Sequence, residues 1–343
     1  MRRNRWILVL AVALGLVLAG WPFRHELLLL LRAPFLPSVE PPPAGTTRFA
    51  LIGDYGTGTA RAVEVARMVK RWKPHFVATL GDNDYGDAAG GIDRAVGRLY
   101  HEYIAPYHGR YGAGGTVNRF FPIPGHRDWD HAALQPYLEY FTLPGNERYY
   151  EVVLGPVHLF MLDTDEREPD GATEASHQAR WLQERLAKST ASWKLVLAHH
   201  APYTSHEVDD IRRMRWPFET WGADAVLSGF YHVYERLQVG SLPYFVNGAG
   251  GAWVSRFGVT DPHSRFRYAE DNGAMLVDAS VARITFRFVT RRGRIVDAYE
   301  LVRAPQRGSP RLLDQRDQGP YVAARPGSAE PVGAEGLTQR SQD

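Results

Sequence analysis

The chain has 343 residues, with 40 Lys and Arg against 38 Asp and Glu, for a formal net charge of +2. Apolar residues at 44% and charged residues at 23% are the balance of a globular protein, and so small a basic excess gives no ground to expect a nucleic-acid partner. Cysteine is absent, which excludes disulfides, thiolate metal sites, iron–sulfur clusters and cysteine nucleophiles and leaves His, Asp, Asn and Tyr as metal-binding side chains.

Residues 2–5 read Arg-Arg-Asn-Arg, and Trp6 to Phe23 then runs without a charge. That run is just long enough to span a thin bilayer. The arginines before it place its N-terminal side in the cytoplasm and everything after it outside. Two alternatives stand: an uncleaved single-pass anchor, which makes the membrane a partner, or a cleaved signal peptide, for which Leu18-Ala19-Gly20 is a poor processing site. Either way the rest of the chain is expected to be exported. Residues 1–36 form this segment, and 37–46, rich in proline, form a stiff linker. A folded domain is expected over 47–303. Residues 304–343, rich in Pro, Gly, Ser, Gln and Arg, are expected to form a disordered tail.

Within the domain, apolar runs alternate with helical periodicity. Arg48–Ile52 is expected as a strand that stops at Gly53-Asp54, followed by a helix over Thr59–Trp72. Phe76–Leu80 is a second strand stopping at Gly81-Asp82, and Ile92–Tyr103 has helical spacing. Phe120–Pro124 leads into Gly125-His126-Arg127-Asp128. Val157–Leu162 is a strand and Ser176–Leu186 a helix; Trp193–Leu197 ends at His199-His200, and Ala225–Leu227 ends at Gly229-Phe230-Tyr231-His232. Met275–Leu301 reads as antiparallel strands. An Asp after one strand is ordinarily a cap or turn residue. Polar residues at the C-terminal ends of five apolar runs instead match the place where α/β sheets gather their ligands.

With these blocks in this order, the sequence resembles the calcineurin-like metallophosphoesterases and, within them, the purple acid phosphatases. Asp54-Tyr55-Gly56, Gly81-Asp82-Asn83-Asp84-Tyr85, Gly125-His126-Arg127-Asp128, Val196-Leu197-Ala198-His199 and Gly229-Phe230-Tyr231-His232 are similar to the five family blocks over roughly residues 47–301. The resemblance implies a four-layer α/β/β/α sandwich with two metals, bridged by one carboxylate, that clamp a phosphate ester. It assigns Asp54, bridging Asp82, Tyr85 and His232 to the first metal. A phenolate at Tyr85 suits iron there, and zinc, manganese or iron would suit the second position.

The second metal retains Asp82 and His199. The family's Asn is His126 here, and the first His of the last block is Phe230, which offers no lone pair. His126 could donate a ring nitrogen, and Tyr231 or His200 could fill the gap. The family's proton-donating His is Arg127, which cannot act as an acid at ordinary pH but matches a phosphate bidentately. Two readings remain open: His126 replaces the lost catalytic His, or Arg127 supplies charge that the second metal does not. Candidate leaving-group acids are His126, His200 and His131.

Asn83, Arg127 and Tyr203 are expected to touch substrate, and Trp129 follows a motif closely enough to line the cleft. Arg212-Arg213-Met214-Arg215 either steers an anionic substrate or forms a solvated helix face. Gly248 to Gly251 lacks the Lys of a phosphate loop and reads as tight packing beside the site. The expected function is an exported, metal-dependent phosphomonoester hydrolase acting on a small phosphate ester. The alternative is a non-catalytic relative that binds a phosphorylated or anionic ligand. No protein partner can be deduced.

Overall fold

The computed structural model describes residues 40–86, 91–206 and 211–303. The N-terminal apolar segment and the C-terminal tail therefore lie outside the described residues. Among the described residues, no helix is long and apolar enough to cross a membrane.

Two mixed sheets face one another. In the first, β1 (Thr47–Ile52), β2 (Phe76–Thr79) and β3 (Phe120–Phe121) run parallel, and β11 (Gly273–Ala279), β12 (Arg283–Thr290) and β13 (Ile295–Val302) extend it antiparallel from β1. Its order is β13-β12-β11-β1-β2-β3. The second sheet has the order β10-β8-β9-β7-β6-β5-β4. Here β5 (Val157–Met161), β6 (Trp193–Ala198), β7 (Ala225–Ser228) and β9 (Leu242–Asn247) run parallel. β4 (Tyr150–Leu154), β8 (Tyr234–Val239) and β10 (Ser264–Tyr268) are the antiparallel additions.

The facing surfaces interlock through aromatic rings. Phe245 meets Phe286 at 4.9 Å, and Tyr234 stacks on Phe288 at 4.3 Å, while the Trp193 indole donates across to the Ser280 carbonyl at 2.6 Å. On the outer faces lie helices, completing the four-layer α/β/β/α sandwich. Helix α1 (Ala60–Arg71) buries Ala62, Val65, Ala66 and Val69, the spacing seen in the sequence. Helix α2 (His177–Lys188) buries Ala179, Leu182 and Leu186 against the other face of β5–β7, where Phe160, Val196 and Val226 wait. The hydroxyls of Thr59 and Ser176 cap these two helices by accepting from Ala62 and Ala179.

The helix expected over Ile92–Tyr103 is helical throughout 91–103, but π-helical at Asp93–Gly97 and 3-10 at His101–Tyr103. Gly97 packs there with no room for a β-carbon beside the Asp93 carboxylate, and that carboxylate accepts from the hydroxyls of Tyr107 and Tyr140. The apolar runs do not mark β4, β8, β9 and β10: β4, β8 and β10 are each partly exposed, whereas β9 is buried throughout.

One buried ion pair ties the first sheet together. Arg48 on β1 donates two hydrogen bonds to Asp278 on β11, at 2.7 and 2.9 Å, and Arg287 on β12 adds a third at 3.0 Å. Burial pushes the Asp278 carboxyl up, but the two guanidiniums outweigh it and hold the group below its ordinary value. Removing one partner of such a pair strands the other's charge. Asp278→Ala should cost about 3–5 kcal/mol in urea unfolding at pH 7. Because the folded value is depressed, this contribution is complete above the unfolded value of about 4 and is lost as pH falls through the folded one. The gap in urea midpoint between wild type and Asp278→Asn should therefore narrow on acidification from pH 5 to pH 3.

Candidate metal centre

β1 and β2 are neighbours, so the turns that end them lie side by side. Asp54 and Asp82 occupy those turns with left-handed backbone, at φ 56° and 55°. Asp is among the few residues that tolerate this conformation. The turns are knitted reciprocally: the N–H of Asp54 donates to the Gly81 carbonyl, and that of Gly56 to the Asp82 carbonyl, each at 3.1 Å. Both carboxylates are fully buried. Asp54 Oδ2 accepts from the Phe230 N–H at 2.9 Å, and Asp82 Oδ1 from the Arg127 N–H at 2.9 Å. The other oxygens, Asp54 Oδ1 and Asp82 Oδ2, have no hydrogen-bond partner.

Two donor sets meet these oxygens. On one side, His232 Nε2 lies 3.5 Å from Asp54 Oδ1 and 3.2 Å from the Tyr85 hydroxyl. On the other, His199 Nε2 and His126 Nδ1 lie 3.2 and 3.3 Å from Asp82 Oδ1 and 2.9 Å from each other. His199 Nδ1 faces the Leu80 carbonyl at 2.7 Å. Donating there fixes the tautomer and leaves Nε2 with its lone pair turned to the site, the usual outer support of a metal-ligating His. Asp82, His126 and His199 each offer an atom within 4.8 Å of the others, and they are the group of three His or carboxylate side chains that meets this closely among the described residues. The position that looked depleted in the sequence is thus the more compact of the two.

The electrostatics match a cation site. Asp82 pays for complete burial, yet His199, His126 and the Arg127 N–H hold its carboxyl well below the ordinary range. Burial and the two carboxylates Asp54 and Asp82 drive the Tyr85 hydroxyl far up, an effect that a cation between them would oppose. Two oxygens without partners, three imidazole nitrogens turned toward the carboxylates and a phenol therefore fit one or more metal ions.

Backbone closeness makes this convergence possible. A β-carbon on Gly125 would stand 2.3 Å from Asp82 Oδ1, and one on Gly81 would stand 2.5 Å from His199 Nδ1. Gly248, expected to pack tightly, does so: its β-carbon would meet Asp54 Oδ2 at 2.7 Å. Asp128 locks the third block in place by accepting from the N–H groups of Gly125, Asn83 and Asp84 and from the Asn83 side chain, at 2.8–3.1 Å.

Other expected residues fall elsewhere. Asn83 is fully buried, and its amide is spent on Tyr55, Thr79, Ile123 and Asp128, so it shapes the loop from beneath. Tyr203 is directed into a separate cluster with Tyr244 and His263, with Arg215 over its ring. Trp129 is buried and donates to Asp163 at 2.9 Å. Arg213 pairs with Glu166 at 3.1 Å and donates to the Thr164 carbonyl, so it is tied to the loop that follows β5. His200 is buried with Nδ1 2.8 Å from the Thr164 hydroxyl. Burial, then His199, Arg213 and His126, keep it neutral by pushing its pKa well down. His131 packs beneath Gly86.

Arg127 stands at the rim, its side chain 42% exposed and its guanidinium 5.8 Å from the Tyr85 ring centre. Phe230, at φ 70°, spreads its ring over His126, His199 and His200 at 5.0, 5.5 and 4.7 Å. Sequence reasoning missed Trp253, which is 56% exposed and meets the His232 ring edge to face at 4.5 Å. Its position just after the glycine stretch was the available signal.

Comparisons with known proteins agree with this geometry. No protein-family model matches the chain. Tartrate-resistant acid phosphatase type 5 of Homo sapiens is 24% identical over 332 residues, spanning 82% of this chain and 98% of the human protein. Among solved structures, purple acid phosphatase PPD1 from yellow lupin superposes with a TM-score of 0.60 at 16% identity, over 78% of this chain and 56% of that one. GAP50, described as the anchor in the inner membrane complex of Plasmodium, does so with a TM-score of 0.59 at 19% identity, over 76% and 90%. The fold is that of the purple acid phosphatase-like metallophosphoesterases. Relatives of the purple acid phosphatase type imply a dimetal centre, and among the described residues Asp82, His126 and His199 form a group that could hold a metal ion.

Beside this candidate centre, Asp128→Ala would leave four buried donors without an acceptor. It should cost about 3 kcal/mol or more in urea unfolding and lower bound metal, measured by elemental analysis of the purified protein.

Proposed function

We propose that the chain is a metal-dependent phosphomonoester hydrolase, and the observation that carries this reading is Asp82. Its buried carboxylate lies against His126 and His199 and close enough to Tyr85 to push that hydroxyl up, with one oxygen unpartnered. Asp54, Tyr85 and His232 would hold one metal with it, iron by the chemistry of the phenol, and His126 and His199 a second, zinc, manganese or iron. Bound metals would polarise the phosphoryl group and lower the pKa of water.

The chain's own residues do the rest. The Arg127 fork grips the phosphate oxygens and offsets charge as it develops on them. Phe230 shields the His126 side of the centre from water. With its Nδ1 turned toward Asp82 and His199, His126 acts as a ligand in this reading, and Arg127 cannot give up a proton. His200, neutral and walled in by Phe230, is not placed to protonate a leaving group. Esters whose leaving groups need no proton, such as aryl phosphates, are therefore the favoured substrates, because a missing general acid costs about 10²–10⁴ for poor ones. Export, through an N-terminal anchor or a cleaved signal, is part of the same reading.

A second reading is a phosphate-binding protein without turnover. Phe230 at a ligand position and Arg127 at the acid position favour it, as does the fold shared with GAP50, whose described role is that of an anchor.

Release of phosphate from 4-nitrophenyl phosphate by protein purified with iron and zinc separates the two. Asp82→Ala should lower kcat/KM by at least about 10³ and Arg127→Ala by about 10². His126→Ala should lose one equivalent of metal while a Tyr85-dependent visible absorption band persists, and Tyr85→Phe should lose the band. Full metal loading with no phosphate release would support the binding reading.

A further inference from the structure

Trp253 is the largest apolar side chain exposed to this extent among the described residues, and it borders the metal centre. Its position is built. The preceding residue, Ala252, donates its N–H to the Asp54 carbonyl at 3.0 Å and accepts from the Asn272 side chain at 2.8 Å. Ser255, two residues on, donates to the His232 carbonyl at 3.1 Å. The Trp is thus carried on a short strap bonded at both ends to residues of the first donor set. Its ring rests on His232 at 4.5 Å while more than half of it faces solvent.

A chain of ring contacts links the Arg127 guanidinium to the indole. The Arg127 guanidinium lies over Tyr85 at 5.8 Å, Tyr85 meets His232 at 6.4 Å, and His232 meets Trp253. One end presents a fork for an anion and the other an indole held in place. A phosphate held at the donor sets, between these two ends, has His232 and then the indole beside it. Because the indole packs directly on His232 of the first donor set, a ring that meets it must follow the phosphate closely, as it does in the phosphate ester of a phenol.

We infer that Trp253 is a specificity-determining residue that stacks the aromatic leaving group of an aryl phosphate. This rests on the phosphoesterase reading for the phosphate end of the ligand. It also accounts for a site without a general acid, since phenolates depart unprotonated more readily than alkoxides.

The test separates binding from turnover. Calorimetry on the metal-loaded full chain would measure Kd for phenylphosphonate and cyclohexylphosphonate, which carry rings of similar size, do not hydrolyse and differ in planarity. Wild type should prefer the phenyl ligand by about tenfold, the scale of one stacked ring. Trp253→Ala should bring the two ligands within about twofold of each other, and Trp253→Phe should keep most of the preference. A preference that survives in Trp253→Ala, or wild type that shows none or binds neither ligand, overturns the inference. The phosphoesterase reading fails separately, if the phenyl preference is present and depends on Trp253 but 4-nitrophenyl phosphate is not hydrolysed.

Discussion

Two carboxylates buried completely at the ends of adjacent parallel strands are the constraint that the rest of this site answers. Each of Asp54 and Asp82 keeps one oxygen with no hydrogen-bond partner, and an ionised carboxylate out of water is costly unless it is paired. Backbone N–H groups from Phe230 and Arg127 satisfy one oxygen apiece. The remaining demand falls on imidazoles and a phenol, whose lone pairs do not neutralise charge. A cation between the carboxylates would, and in the proposed centre the same burial that is a liability for folding would become selectivity for metal. The left-handed turns, the reciprocal bonds between the two loops and the glycines without room for a β-carbon all serve to hold the pair in place.

The second donor set shows how a ligand can be replaced from another direction. Phe230 stands where a His of the last block was expected and contributes its main chain, which bonds Asp54, rather than its side chain. A bulky residue at φ 70° is strained, and the bond to a buried carboxylate offsets that strain. Its ring then packs on three imidazoles. His126, directly after Gly125 in the third block, reaches Asp82 and His199 because the absent Gly125 side chain lets the loop press against them. His126 and Phe230 thus meet over the second donor set, their rings 5.0 Å apart.

Much of this was legible in the sequence. Apolar runs ending at Gly-Asp or His marked the strand termini, and Asp54, Asp82, Tyr85, His199 and His232 come together as their order implied. The helices α1 and α2 follow the spacing of Ala62, Val65 and Val69 and of Ala179, Leu182 and Leu186. What could not be seen depended on direction rather than identity. Asn83 follows Asp82 by one residue, but the left-handed turn sends its amide into the core, where four groups use it. Tyr203 follows His200 closely, yet the chain has turned away to Tyr244 and His263. Trp253 carries no motif and becomes important only because Asp54 and His232 tether its strap.

The depleted appearance of the second set illustrates a further limit. Counting ligand types against a pattern scored Phe230 as a loss and His126 as a poor exchange. Coordination depends instead on where lone pairs point, and the Leu80 carbonyl turns His199 Nε2 toward the same oxygen of Asp82 that His126 Nδ1 approaches. Three donors on two loops and a strand end are brought within reach by backbone hydrogen bonds that no residue pattern displays. A substitution at a ligand position is therefore a statement about one side chain, and the chemistry of the site belongs to the set.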